Sequence, residues 1–270
     1  MSPPRLVATD LDGTLVRSDS TISARTVAAL ARVERAGADL VFVTGRPPRW
    51  MHGIADATGH RGVAVCGNGA VVYDLHAERV IASRLLDAET MREVVSRLRA
   101  SVPDLVFAVE RESGFARERT YVAPHQPDAV IVGADELFVR PAAKLLAQHP
   151  ELGPDTLLRQ AREVAGDTAE LTHSSTTGLI EISASGVSKA STLAVICEKR
   201  GIAPSEVVAF GDMPNDLPML AWAGTAYAVA NAHPTVLTAV TRHTPSNDDD
   251  GVARVLERLF PDRRADPGPG

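Results

Sequence analysis

Residues 8–16 read Ala8-Thr9-Asp10-Leu11-Asp12-Gly13-Thr14-Leu15-Val16. An apolar run, Leu6-Val7-Ala8, leads directly into two aspartates separated by one leucine, with a glycine and a threonine behind them. The run is too short for a helix and reads as a buried strand from about Arg5 to Thr9. Carboxylates at the end of a buried strand lie where open α/β sheets bind their ligands.

Working outward, TISARTVAALARVERAG (21–37) spaces Val27, Leu30, Ala31 and Val33 as a helix does, with Ser23 as N-cap and Gly37 just past the end. DLVFVTG (39–45) and GVAVCGNG (62–69) are two further apolar, β-branched runs. Strand, helix, strand, helix, strand in this order predicts an α/β fold: a Rossmann-like parallel sheet with right-handed crossovers and helices on both faces. The pattern then breaks. VVYD (71–74) and RVIAS (79–83) read as strands around a polar turn, and a helix is expected over Ala88–Ala100. The runs LVFAVE, DAVIVG, AKLLAQ, AELTHSS and GLIEIS follow as short strands, with a helix over Thr156–Ala165 among them. Residues 83–183 therefore read as an inserted α+β unit.

The parallel pattern resumes with a helix in SKASTLAVICEKRG (188–201), a strand in SEVVAFGD (205–212) and a short helix in NDLPMLAWAG (215–224). Pro218 falls in the first turn of that helix, where proline is tolerated. TAYAVA (225–230) is a strand, Asn231 and Pro234 open a helix to about Ala239, and a last helix covers about Gly251–Phe260. The expected organisation is a core of residues 1–82 and 184–260, the insert 83–183, and a disordered tail 261–270, rich in proline, glycine and charge.

The 270 residues are 44% hydrophobic and carry a net charge of −6, from 28 basic and 34 acidic side chains. No basic excess points to nucleic acid or an anionic membrane as partner, and no apolar run approaches a membrane span. Cys66 and Cys197 read as buried thiols of a reducing compartment, so the cytoplasm is the expected location.

Four short motifs fall in suggestive places. Asp10 closes the first strand, Thr44-Gly45-Arg46 the second, and Gly211-Asp212-Met213-Pro214-Asn215-Asp216 a later one; Lys189 opens the helix after the insert. Asp10, Asp12, Asp212 and Asp216 would crowd one sheet edge. Two carboxylates 4 Å apart repel by about 4 kcal/mol at an effective dielectric near 20, so the cluster asks for a cation or for protons. Oxygen donors without nearby histidine or cysteine favour a hard ion, and Mg2+ is the expected cofactor. Thr44 offers a hydroxyl, Gly45 lets backbone amides approach an anion, and Lys189 adds charge at a helix N-terminus. Such a set describes a phosphoryl site. The Asp10 carboxylate would attack phosphorus, and Asp12 would protonate the leaving oxygen and then deprotonate water. Gly13 permits the tight turn between them, and Thr14 could fix the rotamer of Asp12. Each motif alone also fits a turn, a cap or a solvated lysine; their order and placement carry the reading.

DLDGTL, TGR, Lys189 within SGVSKAST, and GDMPNDLPML resemble, in this order, the four motifs of the haloacid dehalogenase superfamily of phosphatases. CGNGAVVYD, GLIEISASGVSKAST and VANAHPTV are similar to its Cof-like group, which carries a large cap inserted after the third strand. The resemblance runs from Leu6 to about Leu259. It implies that Asp10 is nucleophile and metal ligand, and that Asp12 is the acid/base with its carbonyl on the metal. Thr44 and Lys189 would hold the phosphate, and Lys189 would restrain Asp10. Asp212 would be the third protein ligand of Mg2+, while Asn215 and Asp216 would support phosphate, metal waters or Lys189. The insert would be a cap that excludes water and selects a small phosphorylated metabolite, most often a sugar phosphate in this group. A phosphomutase using the same intermediate and a phospho-aspartate receiver are the alternatives. Glu110, Arg111, Arg117, Arg119 and His173 read as a solvated cap face, His233 as a helix-end residue, and NDDDG (247–251) as a helix-capping loop.

Overall fold

The computed structural model of the chain describes residues 3–112 and 114–261. Its first part runs β1 (Leu6–Thr9), α1 (Ala24–Arg35), β2 (Asp39–Val43), α2 (Met51–Thr58), β3 (Val63–Cys66), β4 (Val71–Asp74) and β5 (Arg79–Ser83). A middle part follows as α3 (Ala88–Ser101), β6 (Val106–Arg111), β7 (Gly114–Arg117), β8 (Val130–Ile131), α4 (Ala134–Leu137), β9 (Lys144–Gln148), α5 (Pro154–Ala165), β10 (Ala169–Thr172) and β11 (Leu179–Ala184). The last part is α6 (Lys189–Lys199), β12 (Val207–Gly211), α7 (Leu217–Trp222), β13 (Thr225–Val229), α8 (Pro234–Ala239), β14 (His243–Thr244) and α9 (Gly251–Leu259).

The described residues form two sheets. The larger has the order β14-β13-β12-β1-β2-β3-β4-β5. It is parallel from β14 to β3, and β4 and β5 close one edge antiparallel. Leu6, Val7 and Ala8 are fully buried between β2 and β12, which explains their unbroken apolar run. From β1 the chain builds towards β3, and after the middle part it returns to build from β12 towards β14. The order therefore reverses between β1 and β12, and the crevice at that point is where an open α/β sheet binds ligands. Ser23 caps α1 by accepting from the Thr26 amide, and Gly37, at φ +78°, ends it.

The smaller sheet has the order β10-β11-β9-β6-β7-β8. One face, with Phe107, Val109, Leu145, Ile180 and Ile182, forms an apolar core with Met91, Val94 and Leu98 of α3 and Leu157, Leu158 and Ala161 of α5. Asp87 starts α3 by accepting from the Glu89 and Thr90 amides, a cap of about 1 kcal/mol. The pleat sets the other face: Glu110 pairs with Lys144 and Glu181 with Leu146 across neighbouring strands.

Several expectations change. DAVIVG yields only the two residues of β8, because the segment lies at the sheet edge with Val130 and Ile131 exposed. Ser83 pairs with Val71 in the large sheet and Ala184 with Ala169 in the small one. Asp250 does not cap α9 with its side chain. It sits at φ +58° and its carboxylate accepts from Arg17 at 2.8 Å and Ser23 at 2.7 Å, tying the start of α1 to α9. The expected disordered tail lies outside the described residues from 262 onward. Among the described residues, no helix is long and apolar enough to cross a membrane.

Candidate active site

Asp10 and Asp212 follow β1 and β12 directly, and the Asp10 amide still bonds to the Phe210 carbonyl at 3.0 Å. Parallel pairing thus brings the two aspartates side by side at the point where the strand order reverses. Asp216 joins them from the turn before α7, and ligand oxygens of Asp10, Asp212 and Asp216 all lie within 4.8 Å of one another. All three residues are buried.

Lys189 is the ammonium among these carboxylates. Its Nζ donates to Asp10 Oδ1 and to Asp216 Oδ1, each at 2.6 Å. Ser188 places it, accepting from the Ser191 amide while the Ser191 hydroxyl accepts from the Ser188 amide. Burial works against the charge on Lys189, but the Asp10 and Asp216 carboxylates outweigh it and hold the ammonium above its ordinary range. Burial raises Asp10 well above its ordinary value; Lys189 opposes the shift and the neighbouring carboxylates add to it. Burial, with Asp216 beside it, pushes Asp212 up to about 7.

Asp216 is held by protein through both oxygens: Lys189 bonds the first, and the second accepts from the Asp212 and Met213 amides, both at 3.0 Å. Asp212 is aimed by the Thr14 hydroxyl at 2.7 Å, so Thr14 orients Asp212 rather than Asp12. Gly13 lies against the same carboxylate. A β-carbon there would fall 2.4 Å from Asp212 Oδ2, and its φ of +77° suits glycine.

Three buried carboxylates face one ammonium, so the cluster holds excess negative charge. Oxygens on Asp10 and Asp212 remain as donors for a cation once Lys189 and the backbone have taken their share. An all-oxygen, anionic donor set of this kind fits a hard divalent ion. The Asp12 side chain is not part of it. Arg46 grips the Asp12 carboxylate with two nitrogens, Nε at 2.8 Å, which leaves the Asp12 carbonyl as the group it could offer a metal.

Thr44 is buried, and its Oγ1 accepts from the Arg46 amide at 3.0 Å, keeping its own proton available for an anion. Asn68, at φ +57°, donates its backbone N–H to the Thr44 carbonyl at 3.0 Å. Asn215 donates from Nδ2 to Asn68 Oδ1 at 3.1 Å, leaving Asn215 Oδ1 and Asn68 Nδ2 buried without partners.

The small sheet closes over this crevice. Arg49 grips Glu110 of β6 with both terminal nitrogens and bonds Gln126 at 2.9 Å. Lys144 of β9 pairs with Glu181 of β11 and donates to the Gly45 carbonyl at 2.8 Å. His173 and His233 both approach the Asp155 carboxylate, at 2.9 and 3.5 Å. Glu110 and His173 are therefore buried groups rather than part of a solvated face. The sequence reading also passed over Lys144, Glu181 and Arg49. The available signal was a lone charge inside each of the apolar runs AKLLAQ and GLIEIS, since buried charges are rare unless paired.

The sequence pattern of the haloacid dehalogenase-like hydrolases matches residues 7–256, nearly the whole described chain. The chain belongs to that family. This haloacid dehalogenase-like hydrolase is 28% identical over 271 residues to the 5-amino-6-(5-phospho-D-ribitylamino)uracil phosphatase YitU of Bacillus subtilis, covering 95% of this chain and 98% of the relative. It is 28% identical over 268 residues to the pyridoxal phosphate phosphatase YbhA of Escherichia coli, covering 93% and 97%. A solved structure of a haloacid dehalogenase-like hydrolase from B. subtilis shares the fold, with a TM-score of 0.82 at 23% identity over 94% of this chain and 99% of that one. The hydrolase is a phosphatase of the Cof-like group.

Proposed function

We propose that the protein is a Mg2+-dependent phosphomonoester hydrolase for a small phosphorylated metabolite, working through an aspartyl-phosphate on Asp10. The convergence of Asp10, Asp212 and Lys189 at the reversal of strand order carries the reading. Bound Mg2+ would be held by Asp10, Asp212 and the Asp12 carbonyl, and would neutralise the cluster and the transferring phosphoryl group. Lys189 fixes one Asp10 oxygen and leaves the other to attack phosphorus. The Thr44 hydroxyl and Gly45 amide support the phosphoryl oxygens. As the bond from Asp10 to phosphorus forms, the ester bond breaks and the leaving oxygen takes a proton from Asp12. Asp12 then removes a proton from water, which attacks phosphorus, frees phosphate and restores the Asp10 carboxylate.

Arg46 holds the Asp12 carboxylate through two N–H bonds and so orients the base that the second step requires. Delivering a proton in the first step requires the carboxyl to leave Arg46. Residues 84–184 would act as the cap, and the ties from Arg49 and Lys144 describe its closed position. The matched phosphatases act on a ribityl phosphate and on pyridoxal phosphate by name, and a sugar or polyol phosphate is the substrate we assign. Cys66 and Cys197 are free, buried thiols, which fits the cytoplasm. The test is phosphate release from a panel of phosphorylated metabolites by purified protein with Mg2+. Release without a bisphosphate primer supports a hydrolase; primer-dependent isomerisation without release makes it a mutase.

A further inference from the structure

A groove of about 220 Å3 lies between α6 and the β4–β5 end of the large sheet. Thr192, Val195, Ile196 and Lys199 line it at the spacing of one helix stripe, and Val72 and Ile81 line it from the sheet. α6 packs against β3, and β4 and β5 carry the sheet further. The register of β5 against β4 shifts at Ile81, which a bulge leaves unpaired. Ile81 and Val195 are 46% and 42% exposed, and both line this groove. Apolar residues scattered over a surface need no explanation, whereas large ones that share a concavity point to a ligand. None of Asp10, Asp12, Thr44, Lys189 and Asp212 lines it, so the groove is separate from the catalytic crevice.

The charge around the groove is one-sided. The chain carries a net charge of −6, yet Arg84, Lys199 and Arg200 line the groove and no acidic residue among those described does. Arg200 is answered by Asp39 at 3.0 Å. Lys199 lies in the last turn of α6, where a cation offsets the helix dipole. Arg84 has neither account. Its guanidinium donates to the Gly186 carbonyl at 3.0 Å and to the Ser191 hydroxyl at 3.3 Å. Both acceptors are neutral, so they fix the guanidinium without cancelling its charge, and they leave N–H groups free for an anion. They also hold it by the N-terminal end of α6, where the dipole adds to the positive potential.

These features select one kind of occupant. The apolar walls suit an aliphatic chain, and the groove has the volume of about seven waters, room for a short one. The fixed cation at one end suits a single anionic head. A cationic head would be repelled there, and a multiply charged metabolite would shed water from several charges against apolar side chains. We propose that the groove between α6 and the β4–β5 edge binds a medium-chain aliphatic carboxylate, its head on Arg84 and its chain between Ile81 and Val195. The site stands independently of the phosphatase reading.

The test is calorimetric titration of the full chain with sodium octanoate and, separately, with octylammonium chloride. Octanoate should bind one to one with a Kd of about 1 mM or tighter, as a ligand of its size allows, and octylammonium about tenfold or more weakly. Arg84→Gln should weaken octanoate by about tenfold. Val195→Glu, a change at an exposed helix position that sets a like charge in the groove, should weaken it by at least about as much, and it carries the test if Arg84→Gln does not fold. No saturable binding, equal affinity for the two ligands, or folded variants that bind octanoate as the wild type does overturns the site. Repeating the octanoate titration with Mg2+ and inorganic phosphate present should leave Kd within about twofold; loss of binding would place octanoate in the catalytic crevice and overturn the groove. A dimer in sedimentation that Val195→Glu dissociates would assign the groove to a second copy of the chain and overturn the proposal.

Discussion

The Lys189 ammonium lies 2.6 Å from Asp10 Oδ1 across 179 residues of sequence, and both groups are buried. That contact joins the first strand of the chain to the helix that follows the whole middle part. Lys189→Met leaves Asp10 and Asp216 buried without their cation. Removing one partner of a buried pair costs about 3–5 kcal/mol, so the variant should lose roughly that much stability in urea unfolding as well as its turnover. A variant as stable as the wild type would mean that the contact does not hold the two segments together.

The excess negative charge at Asp10, Asp212 and Asp216 predicts a metal that stabilises the fold. Adding Mg2+ to chelated protein should raise the unfolding temperature by several degrees and restore activity, since a ligand at 100 times its Kd contributes about 2.7 kcal/mol. Asp212→Asn should remove most of the thermal shift. Full activity in the presence of excess chelator would contradict the metal role.

Gly13 tests the geometry around Asp212 without touching a charge. A β-carbon at this position would fall 2.4 Å from Asp212 Oδ2 on a backbone at φ +77°. Gly13→Ala should therefore displace Asp212, costing about 1–3 kcal/mol of stability and about 100-fold or more in kcat. Calorimetry and kinetics on the purified variant check both, and unchanged kcat would show that the turn tolerates the displacement.

His60 gives a pH dependence away from the chemistry. Burial lowers its pKa in the folded protein, against the pull of Glu34 at 2.7 Å. Above its ordinary pKa of about 6.5, folded and unfolded chains are both neutral there. As pH falls below that value the unfolded chain takes up the proton first. Stability is therefore lost on acidification until the lower folded-state pKa is reached, with a slope of at most about 1.4 kcal/mol per pH unit. His60→Gln should flatten this part of the unfolding-temperature profile between pH 7 and 5, and an unchanged profile would assign the slope to other groups.

The sequence made the core legible because β1, β2 and β12 are continuous apolar runs that end in polar motifs, so the sheet edge could be placed before any contact was known. Asp10, Thr44 and Asp212 follow the ends of neighbouring parallel strands for that reason. The cap was less legible. Its strands are short, and its functional face differs from its packed face by single residues: Lys144 beside Leu145, Glu181 between Ile180 and Ile182. Such charges look like ordinary surface residues until the register shows them facing the crevice. Pairings between distant segments, such as Arg49 with Glu110 and Asp12 with Arg46, depend on how the two sheets meet, which local periodicity does not encode.

Phosphorylation of the Asp12→Asn variant tests the central claim most directly. With p-nitrophenyl phosphate the leaving group needs no acid, so the first step survives, whereas water attack lacks its base and the intermediate should accumulate. Acid quenching followed by peptide mass spectrometry should find one phosphoryl group on Asp10, and none when Asp10→Asn is added. A phosphoryl group on any other residue, or nitrophenol release with no phosphorylated protein, would contradict Asp10 as the nucleophile.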